Sequence, residues 1–258
     1  MARSVIVTGA GGGLGAAIAR VFSENGWSVV LIDRDPDAVA RETAALPGAI
    51  GLAADISDEA AVDRAVAAAE AHCKGPVGAL VNNAGIVRFG PLMEHSVDDF
   101  RKVVDVNLTG TFIVTRSVAR GMIRRRSGAI VNITSLNAVA PSPDAGAYPA
   151  SKAAVALLTQ HFALALGPHG IRVNAVGPGF IDSGMSAPIY TDPAVREVRG
   201  KAVPIGRIGE ARDVAETVFF LASERSAYVN GQHILVDGGV NFSLKNHLPR
   251  KAPSAAEK

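Results

Sequence analysis

Short apolar runs alternate with longer amphipathic segments from one end of the chain to the other. Most of these runs are almost continuous Val, Ile and Leu, which is typical of parallel strands that are buried on both faces. They predict strands over residues 4–8, 28–33, 49–54, 79–82, 129–134, 171–176 and 233–236. Helical periodicity between them predicts helices over residues 14–24, 59–71, 97–125, 150–166 and 211–223. We therefore predict an α/β fold with a doubly wound parallel sheet that carries helices on both faces.

Two stretches depart from this alternation. Residues 180–203 follow a strand and precede a Pro-Ile-Gly turn, where a lid or substrate loop is commonly inserted. Residues 245–258 are polar, end in Pro-Ser-Ala-Ala-Glu-Lys, and predict a flexible tail. The pattern contains neither an internal repeat nor a linker rich in Pro, Gly and Ser. We predict a single dinucleotide-binding and catalytic domain over residues 1–258.

Composition and charge argue against several classes of function. The net charge of +2 is too small to favour a nucleic-acid partner. No apolar run approaches the roughly 18–20 residues of a membrane span. The single cysteine, Cys73, rules out an intramolecular disulfide and favours a reducing compartment. The six histidines show no metal-ligand spacing. These features predict a cytoplasmic protein with no membrane partner, no nucleic-acid partner and no metal.

A glycine-rich turn separates the first predicted strand from the first predicted helix. It reads GAGGGLG over residues 9–15. Such glycines let the backbone approach a pyrophosphate, and the N-terminus of the following helix offers N–H groups to the phosphate charge. Two registers of the dinucleotide-binding pattern fit, namely Gly11, Gly13 and Ala16, or Gly9, Gly13 and Gly15. Tight turns also need glycine, so the prediction of a dinucleotide site depends on the strand before the turn and the helix after it.

An acidic residue at the end of the second strand bears on which dinucleotide binds. Asp33 lies 24 residues after Gly9, where a carboxylate accepts hydrogen bonds from the adenosine ribose and repels a 2′-phosphate, which favours NAD over NADP. Arg34 is the opposing feature, since an arginine here can accommodate that phosphate. The plain alternative is that both residues begin a polar loop. Asp55, which is followed by Ile56, is placed for the adenine edge, although a helix start also explains it.

Tyr148 and Lys152 lie four residues apart at the start of a predicted helix. Residues at this spacing share one helix face, so their head groups can act on one small volume. A phenol with a reference pKa of about 10 is a poor base at neutral pH, but a neighbouring ammonium and an oxidised nicotinamide both lower that pKa. The pair predicts a tyrosine general base, and a half-buried helix face is the ordinary alternative.

Other polar residues lie near the ends of the neighbouring strands. Ser135 follows the fifth strand, where a hydroxyl can polarise a substrate carbonyl or alcohol. The motif Asn82-Asn83-Ala84-Gly85 ends the fourth strand and brings small and amide side chains to the place of a nicotinamide ring. Asn107 interrupts an otherwise apolar helix, which indicates either a kink with a satisfied amide or a water held for proton relay.

In this order the motifs resemble those of the short-chain dehydrogenase/reductase family over residues 8–239. The matching features are Thr8-Gly9-x-x-x-Gly13-x-Gly15, Asp55, Asn82-Asn83-Ala84-Gly85, Asn107, Ser135, Tyr148-x-x-x-Lys152, Asn174, Pro178-Gly179 and Val236-Asp237-Gly238-Gly239. The resemblance implies a seven-stranded Rossmann-type sheet and the glycine register that begins at Gly9. It implies a catalytic set of Asn107, Ser135, Tyr148 and Lys152. It also implies a homodimer or homotetramer built largely through the two long predicted helices.

The candidate cofactor contacts come from the glycine turn, the strand ends and the catalytic pair. They are Gly9, Gly11, Gly12, Gly13, Leu14, Gly15, Asp33, Arg34, Asp55, Ile56, Asn83, Ala84, Gly85, Tyr148, Lys152, Pro178, Gly179, Ile181 and Ser183. The family often has a threonine shortly after the Pro-Gly pair. Here Ser183 stands in that region and keeps the hydroxyl, and Ile181 can supply backbone contacts to the same carboxamide. Ala138 stands where a glycine is frequent in the family.

The substrate is the least defined part of the prediction. Candidate contacts from loops at the carboxyl ends of the strands are Asn137, Asp144, Met185 and Tyr190, with Arg88, Val139 and Ile189 nearby in the same loops. Asn137 and Asp144 can hydrogen-bond the hydroxyls of a sugar or polyol. Both residue types are also common turn formers.

Three functions follow from these features. The leading one is an NAD-dependent dehydrogenase of a small secondary alcohol or ketone, with sugars and polyols among the candidate substrates. The second is an NADPH-dependent carbonyl reductase, for instance of 3-oxoacyl groups, which Arg34 favours and Asp33 opposes. The third is a dinucleotide-binding regulator without turnover, which the intact set of Ser135, Tyr148 and Lys152 opposes.

Overall fold

The apolar runs form the strands of one parallel sheet. The computed structural model describes residues 3–247, and its strands are β1 (Ser4–Thr8), β2 (Ser28–Asp33), β3 (Ile50–Ala53), β4 (Ala79–Asn82), β5 (Gly128–Ile133), β6 (Ile171–Pro178), β7 (Ile181–Asp182), β8 (Gly209–Glu210) and β9 (His233–Val236). Seven of them pair in the order β3-β2-β1-β4-β5-β6-β9, and β7 pairs with β8. The predicted seven-stranded doubly wound sheet is confirmed. The strand order reverses between β1 and β4, so a ligand is expected at the carboxyl edge of these strands.

Helices cover both faces of the sheet. They are α1 (Gly13–Glu24), α2 (Pro36–Ala44), α3 (Glu59–His72), α4 (Val97–Val104), α5 (Gly110–Arg125), α6 (Tyr148–Leu166), α7 (Pro193–Ala202) and α8 (Ala211–Ala222). Short 3₁₀ turns span Leu92–Glu94, Leu136–Ala138, Gly167–His169, Gly184–Thr191, Glu224–Ser226 and Val240–His247. None of the helices within residues 3–247 is long and apolar enough to cross a membrane.

Two hydrophobic layers explain why the strands lack polar alternation. Val5 and Val7 of β1 lie in the layer beneath α1, α2 and α8, whereas Ile6 lies in the layer beneath α3, α5 and α6. All three side chains are fully buried. Because both faces of the strand are buried, both sets of positions are apolar, and the sequence reads as a continuous run.

The single helix predicted over residues 97–125 is interrupted. A π-turn at Asp105–Thr109 separates α4 from α5. The side chain of Asn107 within this turn binds both backbone groups of Ile86, with its Oδ1 accepting at 2.8 Å and its Nδ2 donating at 2.9 Å. One extra residue in the turn therefore accompanies a tertiary contact, and such π-bulges are frequent at functional sites. The apolar periodicity continues across the bulge, so its only sign in the sequence was the polar Asn107, for which a kink with a satisfied amide was one interpretation.

The structure describes all of the first irregular stretch, residues 180–203, but only the beginning of the second, residues 245–258. Residues 180–203, named the lid segment below, contain β7, the turn Gly184–Thr191 and α7. Residues 245–247 of the predicted tail belong to the last 3₁₀ turn. The rest of that prediction, residues 248–258, lies outside the described residues.

Candidate active site

A cleft of about 230 Å³ opens at the carboxyl edge of the sheet, where the strand order reverses. Its lining brings together the glycine turn, the end of β4, the end of β5, the start of α6 and the lid segment. The lining residues are Gly9, Gly12, Gly13, Leu14, Asn83, Ala84, Gly85, Ile133, Thr134, Ser135, Tyr148, Lys152, Pro178, Gly179, Ile181, Ser183, Gly184, Met185 and Ser186. This cleft, named the active-site cleft below, contains most of the predicted cofactor residues and three of the four predicted catalytic ones.

The glycine turn packs so closely against β4 that larger residues do not fit. Gly9 has a φ of +64°, and a Cβ there would lie 2.7 Å from the Cα of Ala84. A Cβ on Gly15 would overlap the carbonyl oxygen of Gly9. Asn83 ties the two segments together, since its Nδ2 donates to Thr8 O and to Gly9 O at 3.0 Å each. These contacts support the register that begins at Gly9.

The start of α1 offers its backbone N–H groups to a ligand. Gly12 is the N-cap, and no side chain caps this end of the helix. A helix N-terminus of this kind favours a phosphate through its N–H groups and its dipole. The close approach of Gly9 and Gly15 brings the backbone to the same place. The donor set and the glycine cradle therefore fit a dinucleotide pyrophosphate.

A smaller cleft of about 110 Å³ continues from the glycine turn toward β2 and β3. Asp33, Arg34, Asp55 and Ile56 all line it. Asp33 also holds the glycine turn, because its Oδ2 accepts from Gly11 N at 2.9 Å. Asp33 thus ends β2, with its carboxylate bonded to the glycine turn at the lining of the smaller cleft, and its contact with an adenosine ribose stays a prediction.

Asp55 is held by its own turn. Its Oδ1 accepts from Ser57 N at 2.9 Å and from Ser57 Oγ at 2.6 Å, and these bonds lower the pKa of the Asp55 carboxyl. The N-cap of α3 is Asp58 rather than Asp55. Asp55 is therefore a fixed, ionised group at the rim of the smaller cleft.

Ser135, Tyr148 and Lys152 converge on the active-site cleft from two elements. Ser135 follows β5 directly, while Tyr148 is the first residue of α6 and Lys152 lies one turn later. The Lys152 ammonium is almost fully buried and donates to the carbonyl of Ile133 at 2.8 Å. Its Nζ lies 5.7 Å from the centre of the Tyr148 ring. An acid–base side chain, a hydroxyl and a cation therefore face one volume.

Burial dominates the protonation of this pair. It lowers the pKa of Lys152 to about 8. It raises the pKa of the Tyr148 phenol above its usual value, and the hydrogen bond with Ser135 acts in the opposite direction. The phenol is therefore protonated at neutral pH in these surroundings. A base role requires further positive charge beside it, which an oxidised nicotinamide supplies.

Asn107 lies behind this group and is completely buried. Besides its two bonds to Ile86, its Nδ2 donates to Ser151 Oγ at 3.0 Å, in the same helical turn as Lys152. A Cβ on Gly85 would lie 3.1 Å from Asn107 Oδ1 and 3.3 Å from Lys152 Nζ. The side-chain amide is thus satisfied by the protein. Its observed contacts tie the π-turn to α6 and to the loop after β4.

The four candidate substrate residues lie in different environments. Met185 lines the active-site cleft and is 48% exposed. Asn137, Asp144 and Tyr190 are absent from its described lining. The Asn137 Oδ1 accepts from Ser142 N at 2.6 Å, which is a turn-forming contact, and Tyr190 is buried within the lid segment. Asp144 is exposed, and its carbonyl accepts from Gly90 N.

Sequence reasoning did not select Thr134, Gly184 or Ser186, which also line the cleft. Gly184 lies against the glycine turn, so that a Cβ on Gly13 would stand 2.7 Å from its Cα. The signal available in the sequence was a glycine directly after Ser183, which the structure shows with a φ of +55°. Within residues 3–247 no group of three or more His, Cys, Asp or Glu is arranged to hold a metal.

Residues 9–241 match the family model described as enoyl-(acyl carrier protein) reductase. The chain is 39% identical over 246 residues to 3β-hydroxysteroid dehydrogenase 1 of Eggerthella lenta, across 93% of this chain and 94% of that one. It is 39% identical over 237 residues to galactitol 2-dehydrogenase (L-tagatose-forming) of Cereibacter sphaeroides, across 90% and 92% of the two chains. A solved gluconate 5-dehydrogenase from Burkholderia cenocepacia, in complex with NADP and tartrate, superposes with a TM-score of 0.86 at 34% identity and covers 92% of this chain and 94% of that one.

The fold, the cleft and these relatives define an NAD(P)-dependent oxidoreductase that acts on CH–OH groups. The chain belongs to the short-chain dehydrogenase/reductase family. The family and function predicted from the sequence are confirmed. The relatives differ in substrate at equal identity, so overall identity does not select the alcohol.

Proposed function

We propose that the protein is an NAD-preferring dehydrogenase of an uncharged secondary alcohol. The observation that carries this proposal is the convergence of Ser135, Tyr148 and Lys152 beside the glycine turn, in one cleft. The experiment that tests it is a panel of secondary alcohols, including polyols, hydroxy acids and cyclic alcohols, with formation of the reduced dinucleotide followed by absorbance. NAD reduction with at least one neutral alcohol supports the proposal. No reduction of either dinucleotide across the panel would contradict it.

Each residue has a separate part in the proposed reaction. The Ser135 hydroxyl holds the substrate oxygen, and the Tyr148 phenolate takes the proton of the alcohol. Lys152 lowers the pKa of Tyr148 by its charge and binds the nicotinamide ribose. A nicotinamide dinucleotide held by the glycine turn and Lys152 would supply the acceptor for the hydride of the carbinol carbon. The alcohol thus loses one proton and one hydride and becomes a ketone. The role of Asn107 in holding a relay water stays a prediction.

The preference for NAD rests on Asp33. Its carboxylate lines the smaller cleft and is fixed by Gly11 N, so a 2′-phosphate would approach a negative charge that cannot easily move away. Arg34 lines the same cleft and is exposed, which keeps an NADPH-dependent carbonyl reductase as the second candidate. A regulator without turnover has no need of the buried Lys152 beside Tyr148, and this pair therefore disfavours it.

Replacing Asp33 with asparagine is expected to shift the preference toward NADP by about tenfold or more, because like charges brought together cost several kcal/mol. Asparagine keeps an oxygen that can accept from Gly11 N, so the change removes charge while retaining the turn. The ratio of the NADP to NAD dissociation constants, measured by titration, checks this. Asp35→Asn is the matched control, since Asp35 caps α2 and is absent from the described lining of the smaller cleft. Tenfold preference of the unmodified protein for NADP would overturn the role of Asp33.

The charge of the substrate follows from the lining of the active-site cleft. Of the described residues that line it, Lys152 alone is charged, and in the proposed reaction its ammonium is engaged by Ile133, by the nicotinamide ribose and by the Tyr148 phenolate. A substrate carboxylate near the reacting carbon would therefore lack a free cationic partner, and burying an unpaired charge is costly. Met185 adds an apolar contact at the mouth.

Methyl 3-hydroxybutyrate is accordingly expected to have a kcat/KM about tenfold or more above that of 3-hydroxybutyrate, since the two differ in the buried charge. Steady-state kinetics on this pair, and on longer pairs of the same kind, checks the expectation. Met185→Lys places a cation at the mouth and should raise kcat/KM for the acid but not for the ester. An unmodified protein that turns over the acid as well as the ester would show that the cleft accepts anions.

We also propose a homodimer or homotetramer. Leu157 and Leu164 of α6 are 68% and 79% exposed, and Phe112 of α5 is 40% exposed and stacks on Phe162 of α6. Exposed apolar side chains grouped on two neighbouring helices are typical of an interface. A cytoplasmic location stays a prediction from the composition.

A further inference from the structure

His233, at the start of the edge strand β9, reaches across β6 to the end of β5. Its Nε2 lies 2.7 Å from the Oγ1 of Thr134. Thr134 is buried, lines the active-site cleft and directly precedes Ser135. A half-buried histidine two strands away from the reacting groups is therefore linked to the cleft through one hydroxyl.

Gly177 makes this contact possible. The sheet pairs Val176 of β6 with Ile133 of β5, and Ala175 of β6 with His233 of β9. Gly177 lies on β6 between the two bonded side chains. A Cβ there would stand 2.6 Å from His233 Nε2 and 3.2 Å from Thr134 Oγ1. Any side chain at this position would displace the histidine.

The direction of the hydrogen bonds follows from the partners of the hydroxyl. Thr134 Oγ1 donates to the carbonyl of Val176 at 3.0 Å, and that carbonyl also accepts from Thr134 N at 2.8 Å. The hydroxyl has one proton, so it accepts from an Nε2–H of His233. Burial lowers the pKa of His233, in keeping with a neutral ring in this role. The ends of β5, β6 and β9 are thereby joined by side-chain bonds at the edge where Ser135 begins.

We propose that His233 is a positioning residue for Ser135, acting through Thr134. This rests on the proposed function, because it assumes that Ser135 must face the substrate oxygen beside Tyr148. The Thr134 bonds fix the last residue before Ser135, and the Ser135 hydroxyl itself accepts from Asn137 N at 3.1 Å in the turn that follows, so the position of Ser135 depends on both neighbours. A small displacement of a reacting group lowers the rate of the chemical step more than it lowers binding.

The experiment compares His233→Leu with His233→Gln in the full chain. Leucine has a similar volume and no donor, whereas the glutamine Nε2 can replace the histidine Nε2–H. His233→Leu is expected to lower kcat about tenfold with KM and the NAD dissociation constant within about twofold, and His233→Gln to recover most of that loss. Thr134→Val should reproduce the leucine effect, with Thr134→Ser as its hydroxyl-bearing control. The double variant His233→Leu/Thr134→Val should be no slower than Thr134→Val alone.

Several results would overturn this role. One is an unchanged kcat in His233→Leu with only a lower melting temperature, which would make the contact merely structural. Another is a double variant whose kcat falls by the product of the two single effects. If His233→Leu does not fold, the comparison of Thr134→Val with Thr134→Ser decides, and equal kcat in those two contradicts the proposal. Chromatographic mass is compared throughout, to separate a change of assembly from a change of rate. Absence of turnover in the unmodified protein would instead reject the proposed function itself.

Discussion

Replacing Tyr148 with phenylalanine is expected to lower kcat by about 10²–10⁴-fold, the range that positioned proton transfer contributes. The substitution removes one hydroxyl from a ring at the start of α6 and keeps the packing of that ring. The reacting alcohol then has no group to take its proton, while the glycine turn and Asp33 remain intact for the dinucleotide. The NAD dissociation constant is therefore expected to stay within about threefold, because few of its contacts come from the phenol. Steady-state kinetics and a dinucleotide titration measure the two quantities.

Tyr228→Phe is the matched control for this substitution. Tyr228 is fully exposed and absent from the described lining of the active-site cleft, so its phenylalanine variant should keep the full kcat. Retention of more than about a tenth of the rate in Tyr148→Phe would remove the phenol from its role as base, since that loss is smaller than proton transfer provides.

Replacing Lys152 with methionine is expected to lower kcat about 10²-fold or more at neutral pH and to change the pH dependence. Alcohol oxidation requires the phenolate, so kcat rises as pH passes through the pKa of Tyr148 in the complex. The ammonium favours the phenolate, so its removal raises the pKa of Tyr148 in the complex. The rising limb of the profile therefore moves to higher pH in the variant. Although burial lowers the pKa of Lys152 to about 8, this value is above neutral pH, so the ammonium form still predominates where the effect is measured.

The measurement is the pH profile of kcat for oxidation in the unmodified protein and in Lys152→Met. Lys201→Met is the control, since Lys201 is exposed and pairs with Glu197 on α7. A profile in Lys152→Met that keeps its position, with only a uniform loss of rate, would show that Lys152 does not act through the pKa of Tyr148.

The sheet was predictable because a strand that is buried on both faces has apolar residues at nearly every position. Val5, Ile6 and Val7 are all fully buried, so the run is continuous and cannot be confused with a half-exposed strand. The break between α4 and α5 was indicated only by Asn107, for which a kink with a satisfied amide was one of two interpretations. This break accompanies two hydrogen bonds between Asn107 and Ile86, which are 21 residues apart. The spacing of apolar residues on either side of the break does not indicate these bonds.

The candidate active site also contains both kinds of feature: local patterns that the sequence predicts and contacts between distant residues that it does not. The glycine turn and the Tyr148–Lys152 pair are each local patterns, so local spacing was enough to find each one, while their place in one site followed from the family resemblance. The contact between His233 and Thr134 spans 99 residues and depends on β9 pairing with β6, which no local pattern specifies. The side chain of Asn137 is engaged by its own loop, a fact that depends on the position of Ser142 N rather than on residue type. Residue type alone is therefore a poor predictor of the contacts that loop side chains make.

The most direct test follows the hydrogen that leaves the substrate. A secondary alcohol deuterated at its carbinol carbon is oxidised with NAD, and the reduced dinucleotide is analysed by mass spectrometry. We predict one deuterium in each reduced dinucleotide, transferred directly from carbon, in the unmodified protein, and almost no labelled product from Tyr148→Phe even though this variant still binds NAD. Reduced dinucleotide without deuterium, or equal amounts of labelled product from both proteins, would contradict hydride transfer coupled to proton abstraction by Tyr148.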